Sequence, residues 1–311
     1  MRTDKGIHHI TVIAGPAQQN VSFYTQKLGL RMVLKSVNQD DPGTYHFFYA
    51  NGSGQPGSSL TFFPFRMASA TKTGTGEAVA VGFAVPSNSK NCWKELFIKE
   101  GIAFGDVFER FGYEVLPFKD PDGLQLELVF DSTVNELSAW DDATVPAEFG
   151  IRGFWSVTLR LEEIESTALI LKEVMDFEPV TSAANSYLYR TGSAIGSAVI
   201  LEKDDNPEYY RPGKGTVHHV AFRANDQQDL ERMRLAVAEM GLRPTIVIDR
   251  HVFKSVYFQT PGGVLFEIAS DDPGYGSVVE KDEDMGKSLF LPPWLEKDRE
   301  RIEANLEPVS Y

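Results

Sequence analysis

Short runs in which every second residue is apolar alternate along this chain with stretches in which apolar residues recur at every third or fourth place. The first kind of run reads as a half-buried strand and the second as an amphipathic helix. Their order is strand, helix, strand, strand, strand, and it recurs four times. Copy one begins at "GIHHITV" (residues 6–12), passes through "AQQNVSFYTQKLGL", and closes with "RMVLKSV", "YHFFYA" and "SSLTFFPF". Copy two spans 78–130: "AVAVGFAV", a helix around Cys92, then "IAFGDVFE", "YEVLPF" and "LQLELVF". Copy three spans 153–202, from "FWSVTLRL" through the helix "ESTALILKEVM" to "FEPVTSA", "SYLYRT" and "SAVILE". Copy four starts at "TVHHVAF" (216–222) and runs through "DQQDLERMRLAVAEMGL" to "PTIVIDR", "KSVYFQT" and "GVLFEIAS". Pro followed by Gly marks a shared turn before the last strand of copies two and four, in "FKDPDGLQLELV" and "FQTPGGVLFEIA".

Four βαβββ modules make an α+β chain. The stretch "DSTVNELSAWDDATVPAEFG" reads as a linker between copies one and two (residues 1–135) and copies three and four (151–270). Residues 271–311 fall outside the repeat. They open with the loop "DDPGYGS" and end in a charged helical stretch, "PPWLEKDRERIEANL".

Composition narrows the partners. With 42% hydrophobic and 24% charged residues the chain is an ordinary globular one. Its formal net charge of −14 repels phosphate backbones and anionic lipid, so neither nucleic acid nor a membrane is an expected partner. The single cysteine, Cys92, excludes an internal disulfide and is expected as a buried thiol. The N-terminus has no apolar leader segment and no run reaches membrane-spanning length, so a reduced cytoplasmic setting is expected.

The histidines change the picture. Of the six, His8, His9 and His46 fall in copy one and His218, His219 and His251 in copy four; copies two and three have none. At the position aligned with His9 and His219, copy three has Ser156, preceded by Trp155. Successive side chains on a strand point to opposite faces, so one member of each pair should turn inward, and the second is the one expected to do so. Glu267 sits mid-strand between Phe266 and Ile268, where a carboxylate faces either solvent or a partner. Glu127 holds the same repeat position in a module without histidine, which is the plain structural alternative. Two imidazoles and one carboxylate are the ligand set that leaves adjacent positions open on Fe(II). Copy four supplies one histidine and one acid, so the metal should lie between copies one and four, with His9 as the third group.

The strings "GIHHIT", "VNQDDPGTYH", "GTVHHVAFR", "TPGGVLFEIA" and "MGKSLFLP" resemble the hydroquinone-cleaving dioxygenases of the vicinal oxygen chelate superfamily, over nearly the whole chain. The resemblance implies two paired-module domains with curled mixed β-sheets. It implies an Fe(2+) site, with Mn(2+) as the alternative ion, made by His9, His219 and Glu267, and supporting or substrate-contacting roles for His8, Thr11, His218, Arg250 and Tyr257. The partners it implies are a small aromatic diol and O2; a homo-oligomer is allowed. Gln39 and Trp155 depart from the family's "VNFDDPG" and "GFHSVT", and both are expected at the pocket. The implied activity is insertion of O2 into a hydroquinone-type diol. The alternatives are extradiol cleavage of a catechol, a glyoxalase-type isomerase or transferase, and a module that only sequesters an aromatic ligand. Glyoxalase-type sites draw an acid from each contributing module, and residues 51–65 contain none.

Overall fold

Each repeat folds as a strand, a helix and three strands in the computed structural model of the chain, which describes residues 5–141 and 144–310. The N-terminal positions 1–4, positions 142 and 143 of the expected linker, and position 311 lie outside the described residues. Module one comprises β1 (Ile7–Ala14), α1 (Ala17–Val21), β2 (Arg31–Asn38), β3 (Asp41–Ala50) and β4 (Ser59–Pro64). Module two comprises β5 (Glu77–Val85), α2 (Lys90–Glu100), β6 (Phe108–Arg110), β7 (Tyr113–Lys119) and β8 (Gln125–Phe130). Module three comprises β9 (Gly153–Leu161), α3 (Glu165–Glu173), β10 (Glu178–Ala183), β11 (Ser186–Arg190) and β12 (Ala198–Lys203). Module four comprises β13 (Thr216–Ala224), α4 (Gln227–Glu239), β14 (Ile248–Asp249), β15 (Lys254–Gln259) and β16 (Leu265–Ser270). The tail carries short 3-10 turns and α5 (Arg299–Asn305).

Two eight-stranded mixed sheets result. One runs β14-β15-β16-β13-β1-β4-β3-β2 and the other β10-β11-β12-β9-β5-β8-β7-β6. Within every module the first and last strands pair in parallel, a connection that needs the intervening helix to cross over. Between modules the first strands pair antiparallel, β1 with β13 and β5 with β9. Module one therefore shares a sheet with module four, and module two with module three, so each half of the chain contributes one module to each sheet. Ile10 and Val12 of β1 and Val220 and Phe222 of β13 join a core that also takes in α4 and the inner residues of the second sheet. His9 and Thr11, on either side of Ile10 in sequence, point to the other face.

Three local departures from the expected elements have physical causes. In module one the helix continues as a π-helical turn over Ser22–Lys27, closed by Leu28 N–H donating to the Phe23 carbonyl at 3.0 Å; this turn buries both Phe23 and Tyr24. In module four, "PTIVIDR" yields only the two-residue β14: Pro244 has no N–H to pair, and Ile246 is 80% exposed, with nothing to bury it. The stretch between the halves is packed rather than slack, for Val145 is buried and Arg31 stacks on Trp140 at 4.5 Å.

Candidate metal centre and substrate cavity

The two His-His strings sit at β-bulges. Register between β1 and β13 pairs Ile7 with Phe222 and then His9 with Ala221, which leaves His8 as an extra residue; it pairs Thr11 with His219 and then Val12 with Val217, which leaves His218 extra. A bulge re-aims neighbouring side chains. The pair does not split cleanly between the two faces as strand alternation implies. His8 Nδ1 lies 2.9 Å from His9 Nδ1, and His218 Nδ1 lies 2.8 Å from His219 Nδ1.

Ala221 of β13 pairs with His9 on one side and Glu267 on the other, so the three share a face. His219, two residues from Ala221, shares it too. The side chains converge: Glu267 Oε2 is 2.9 Å from His219 Nε2 and 3.2 Å from His9 Nε2, and the two Nε2 atoms are 3.4 Å apart. All three residues are buried. Glu267 Oε1 accepts a hydrogen bond from the Ser255 hydroxyl. Oε2 is buried and takes none, because neither ring aims an N–H along the short contact. A buried carboxylate oxygen without a donor is costly unless something else neutralises it. Three ligand atoms within 4.8 Å of one another, with one orphaned anion among them, fit a divalent cation. If Nε2 of each ligand ring presents its lone pair, Nδ1 carries the proton and donates to the preceding histidine, the kind of outer contact that fixes a ligand imidazole. Burial, and then the neighbouring His9, hold His8 well below the usual imidazole range, so it is neutral and can accept.

His9 and His219 line a cavity of about 510 Å³, its open mouth included. The sheet order puts the arms of the cup on either side of them. On the module-four arm stand Arg250, Val252, Phe253 and Tyr257; on the module-one arm stand Leu34, Ser36, His46, Phe48 and Phe63; Phe290 comes from the tail. Tyr257 lies edge-on to His219 at 5.6 Å, and the Arg250 guanidinium sits 5.5 Å over its ring. Burial, then the charge of Glu267, push the Tyr257 hydroxyl well above its usual range, so it keeps its proton and can donate. Arg250 is held by Asp40 at 3.0 Å.

The structure thus brings His9, His219, Glu267, Arg250 and Tyr257 together. His8, His218 and Thr11 stand behind the ligands, outside the lining: His8 is edge-on to Phe253 at 5.4 Å, His218 is exposed beside Phe63, and Thr11 Oγ1 bonds Thr61 Oγ1 at 2.7 Å. Gln39 lines the cavity as expected, its amide donating to the Arg250 carbonyl at 3.0 Å. Trp155 does not: it belongs to the other sheet, where its Nε1 donates to Asp131 at 3.0 Å. His251 packs on Phe290 and Trp294 of the tail. Ser255, Phe253 and His46 are site residues that sequence reasoning left unassigned; only His46 gave a signal, as the third histidine of copy one.

The second sheet holds the same frame without the site. Ser156 and Gly82 pair as His9 and Ala221 do, and Gly82 pairs with Glu127 as Ala221 does with Glu267. Arg110 closes on both oxygens of Glu127, so a guanidinium supplies the positive charge there.

A sequence model described as "Glyoxalase/Bleomycin resistance protein/Dioxygenase superfamily" matches residues 6–128 and 157–268. The chain is similar to "Putative ring-cleaving dioxygenase MhqO" of Bacillus subtilis (strain 168), 38% identical over 305 residues, which cover 98% of this chain and 96% of that protein. It is 33% identical over 307 residues to "Chlorohydroquinone/hydroquinone 1,2-dioxygenase" of Sphingobium indicum, covering 96% and 94%. The crystal structure of a "putative dioxygenase" from Bacillus subtilis superposes with a TM-score of 0.94 at 37% identity, covering 100% of this chain and 99% of that one. Glyoxalase I from Zea mays, at 15% identity and a TM-score of 0.66 over 86% of this chain and 92% of that one, shares the fold.

Proposed function

The chain belongs to the glyoxalase/bleomycin resistance protein/dioxygenase superfamily, and from that premise we propose that it is a ring-cleaving dioxygenase acting on a hydroquinone-type aromatic diol, with Fe(II) held by His9, His219 and Glu267. The observation that carries the reading is the convergence of those three ligand atoms, with the Glu267 oxygen orphaned, beside a cavity walled by phenylalanines and carrying a few polar groups. Bound there, the ion would supply Lewis acidity and open positions for a phenolate oxygen and O2. The overall change breaks one ring C–C bond and places both oxygen atoms in the product, so no outside reductant is required.

The chain's own residues do the rest. Phe48, Phe63, Phe253 and Phe290 enclose an aromatic ring and exclude water, which strengthens every charge interaction inside. His8 and His218 hold the ligand rings in the orientation that presents Nε2. Arg250 brings a fixed positive charge and Tyr257 a protonated hydroxyl beside His219, where negative charge on a substrate oxygen is stabilised.

A glyoxalase-type reaction fits less well. The module-one position equivalent to Glu267 is Thr61: Thr11 pairs with Thr61 as Ala221 pairs with Glu267. No second acid among the described residues reaches the metal from that side. The decisive experiment is anaerobic loading with Fe(II) and, separately, Mn(II), followed by O2 uptake with hydroquinone, methylhydroquinone and catechol. Uptake with the para-diols and ring-opened product is expected. Metal binding with no oxygen consumption on any diol overturns the reading.

A further inference from the structure

The two modules that build the cup are not equal partners. On the module-four arm, β15 supports β16: Tyr257 pairs with Glu267, and Ser255, two residues earlier, bonds Glu267 Oε1. On the module-one arm, β3 meets β4 in the same register: Phe48 pairs with Thr61, and His46, two residues earlier, bonds Thr61 Oγ1 through Nε2 at 3.0 Å. His46 thus stands where Ser255 stands, and Thr61 where the carboxylate stands. One arm holds a charged ligand and its support. The other arm holds a neutral polar group with no ligand to support.

His46 is fixed. Its ring lies between Phe48, with centroids 3.9 Å apart, and Phe63, at 4.3 Å. Its Nε2 is tied to Thr61, which is tied to Thr11. Nδ1 takes no hydrogen bond from any other described residue, and the half-buried side chain opens onto the cavity. Its ring makes no ring contact with His9 or His219, although both line the same cavity. A polar atom is therefore held out from an apolar wall, on the arm of the sheet opposite Tyr257 and Arg250. Nothing in the catalytic account above uses it.

Resting on the dioxygenase reading, we infer that His46 is the group that binds the second oxygen of the substrate, the one remote from the metal, and so selects para-diols over ortho-diols. In a hydroquinone the two hydroxyls are at opposite ends of the ring, so one at the ligands leaves the other on the module-one arm. In a catechol the two are adjacent, and neither reaches His46. The Thr61 and Thr11 hydroxyls can each rotate to donate or accept, so His46 can take either tautomer and present Nδ1 as acceptor or donor to the remote oxygen. Ser36, which pairs with His46 across β2 and β3, stays beside it as a lesser polar neighbour.

The test compares hydroquinone with phenol, which lacks only the remote hydroxyl. Binding to metal-loaded protein is measured anaerobically by titration calorimetry for wild type, His46→Leu and His46→Gln, with metal affinity checked in each. Wild type should prefer hydroquinone about tenfold, the net worth of one or two hydrogen bonds. His46→Leu should bring the ratio to about one while phenol affinity holds, and His46→Gln should restore part of it. In turnover, KM for hydroquinone should rise about tenfold with kcat less affected, as expected for a lost hydrogen bond made equally in the ground and transition states. A hydroquinone preference that survives His46→Leu overturns the assignment, as does a wild type that binds both phenols equally. A wild type that holds metal but binds neither phenol overturns the dioxygenase reading instead, and this inference with it.

Discussion

Replacing Glu267 by Gln distinguishes a metal site from an ordinary buried ion pair by the sign of its effect. Oε2 of Glu267 is buried, 2.9 and 3.2 Å from two imidazole nitrogens, and accepts no hydrogen bond. A buried polar atom left unsatisfied costs about 1–3 kcal/mol, more for a charged one. In the Glu267→Gln variant the new amide nitrogen can stand in the place of Oε2 and donate to an Nε2 lone pair, while the remaining oxygen keeps the Ser255 bond. Metal-free variant protein should therefore be more stable than metal-free wild type by about 1–3 kcal/mol, the penalty relieved. At roughly 2–4 °C per kcal/mol for a domain of this general size, that is a rise of several degrees. Metal should act in the opposite sense. Saturating the wild type at about a hundred times Kd adds about 2.7 kcal/mol, and a roughly hundredfold loss of affinity removes nearly all of that. Thermal unfolding in chelator, and again with Mn(II) or anaerobic Fe(II), reads both terms. If the contacts were a structural pair of charged histidine and carboxylate, breaking them would cost about 3–5 kcal/mol in the metal-free protein. A variant that melts well below wild type in chelator, with its metal response intact, refutes the metal-site reasoning.

Tyr257→Phe should retain the metal and lose roughly ten- to a thousandfold in turnover, the range for a missing proton donor or charge-stabilising hydrogen bond; unchanged steady-state kinetics would return Tyr257 to a packing role. Asp120, at the contact of modules one and two, accepts from Tyr24 Oη at 3.0 Å and from the N–H groups of Asp122 and Leu124, and burial pushes its carboxyl up to about 6. Against an unfolded value of about 3.9, a raised folded value means stability that is present below pH ~4 and lost as pH rises through about 6, at most ~3 kcal/mol. Asp120→Asn should remove that slope, so melting curves of variant and wild type should diverge between about pH 4 and about pH 7; parallel curves would contradict it.

The repeat, the α+β class and the candidate ligands were legible because alternation and the histidine map survive in one dimension. Bulges were not. His8 and His218 are single extra residues inside apolar runs, and an inserted residue leaves no mark until a partner strand shows which one goes unpaired. The place of His46 was hidden for a related reason: it depends on β3 lying two strands from β1 and on the cup's arms facing each other, which is a matter of pairing and not of local propensity. Trp155 was misplaced because repeat alignment equates modules one and three, whereas sheet pairing puts them in different cups. Phe290 lies beyond the repeat, where periodicity has nothing to say about which surface a tail covers. Arg110, which occupies the second cup's carboxylate, stands on a three-residue strand too short for any pattern to single out.

The pairing of β1 with β13 also sets an order on how the molecule can be made. His9 leaves the ribosome long before Glu267, yet they meet across a single intervening strand. Until module four is synthesised, β1 can pair with β4 on one edge while its other edge stands open, the kind of unpaired strand that invites the wrong neighbour. A nascent chain of modules one to three holds one histidine of the three ligands and none of the acid. On the proposed reading, oxygen chemistry would be withheld from any chain that ends before module four, and metal would be captured only once that module had paired with the first.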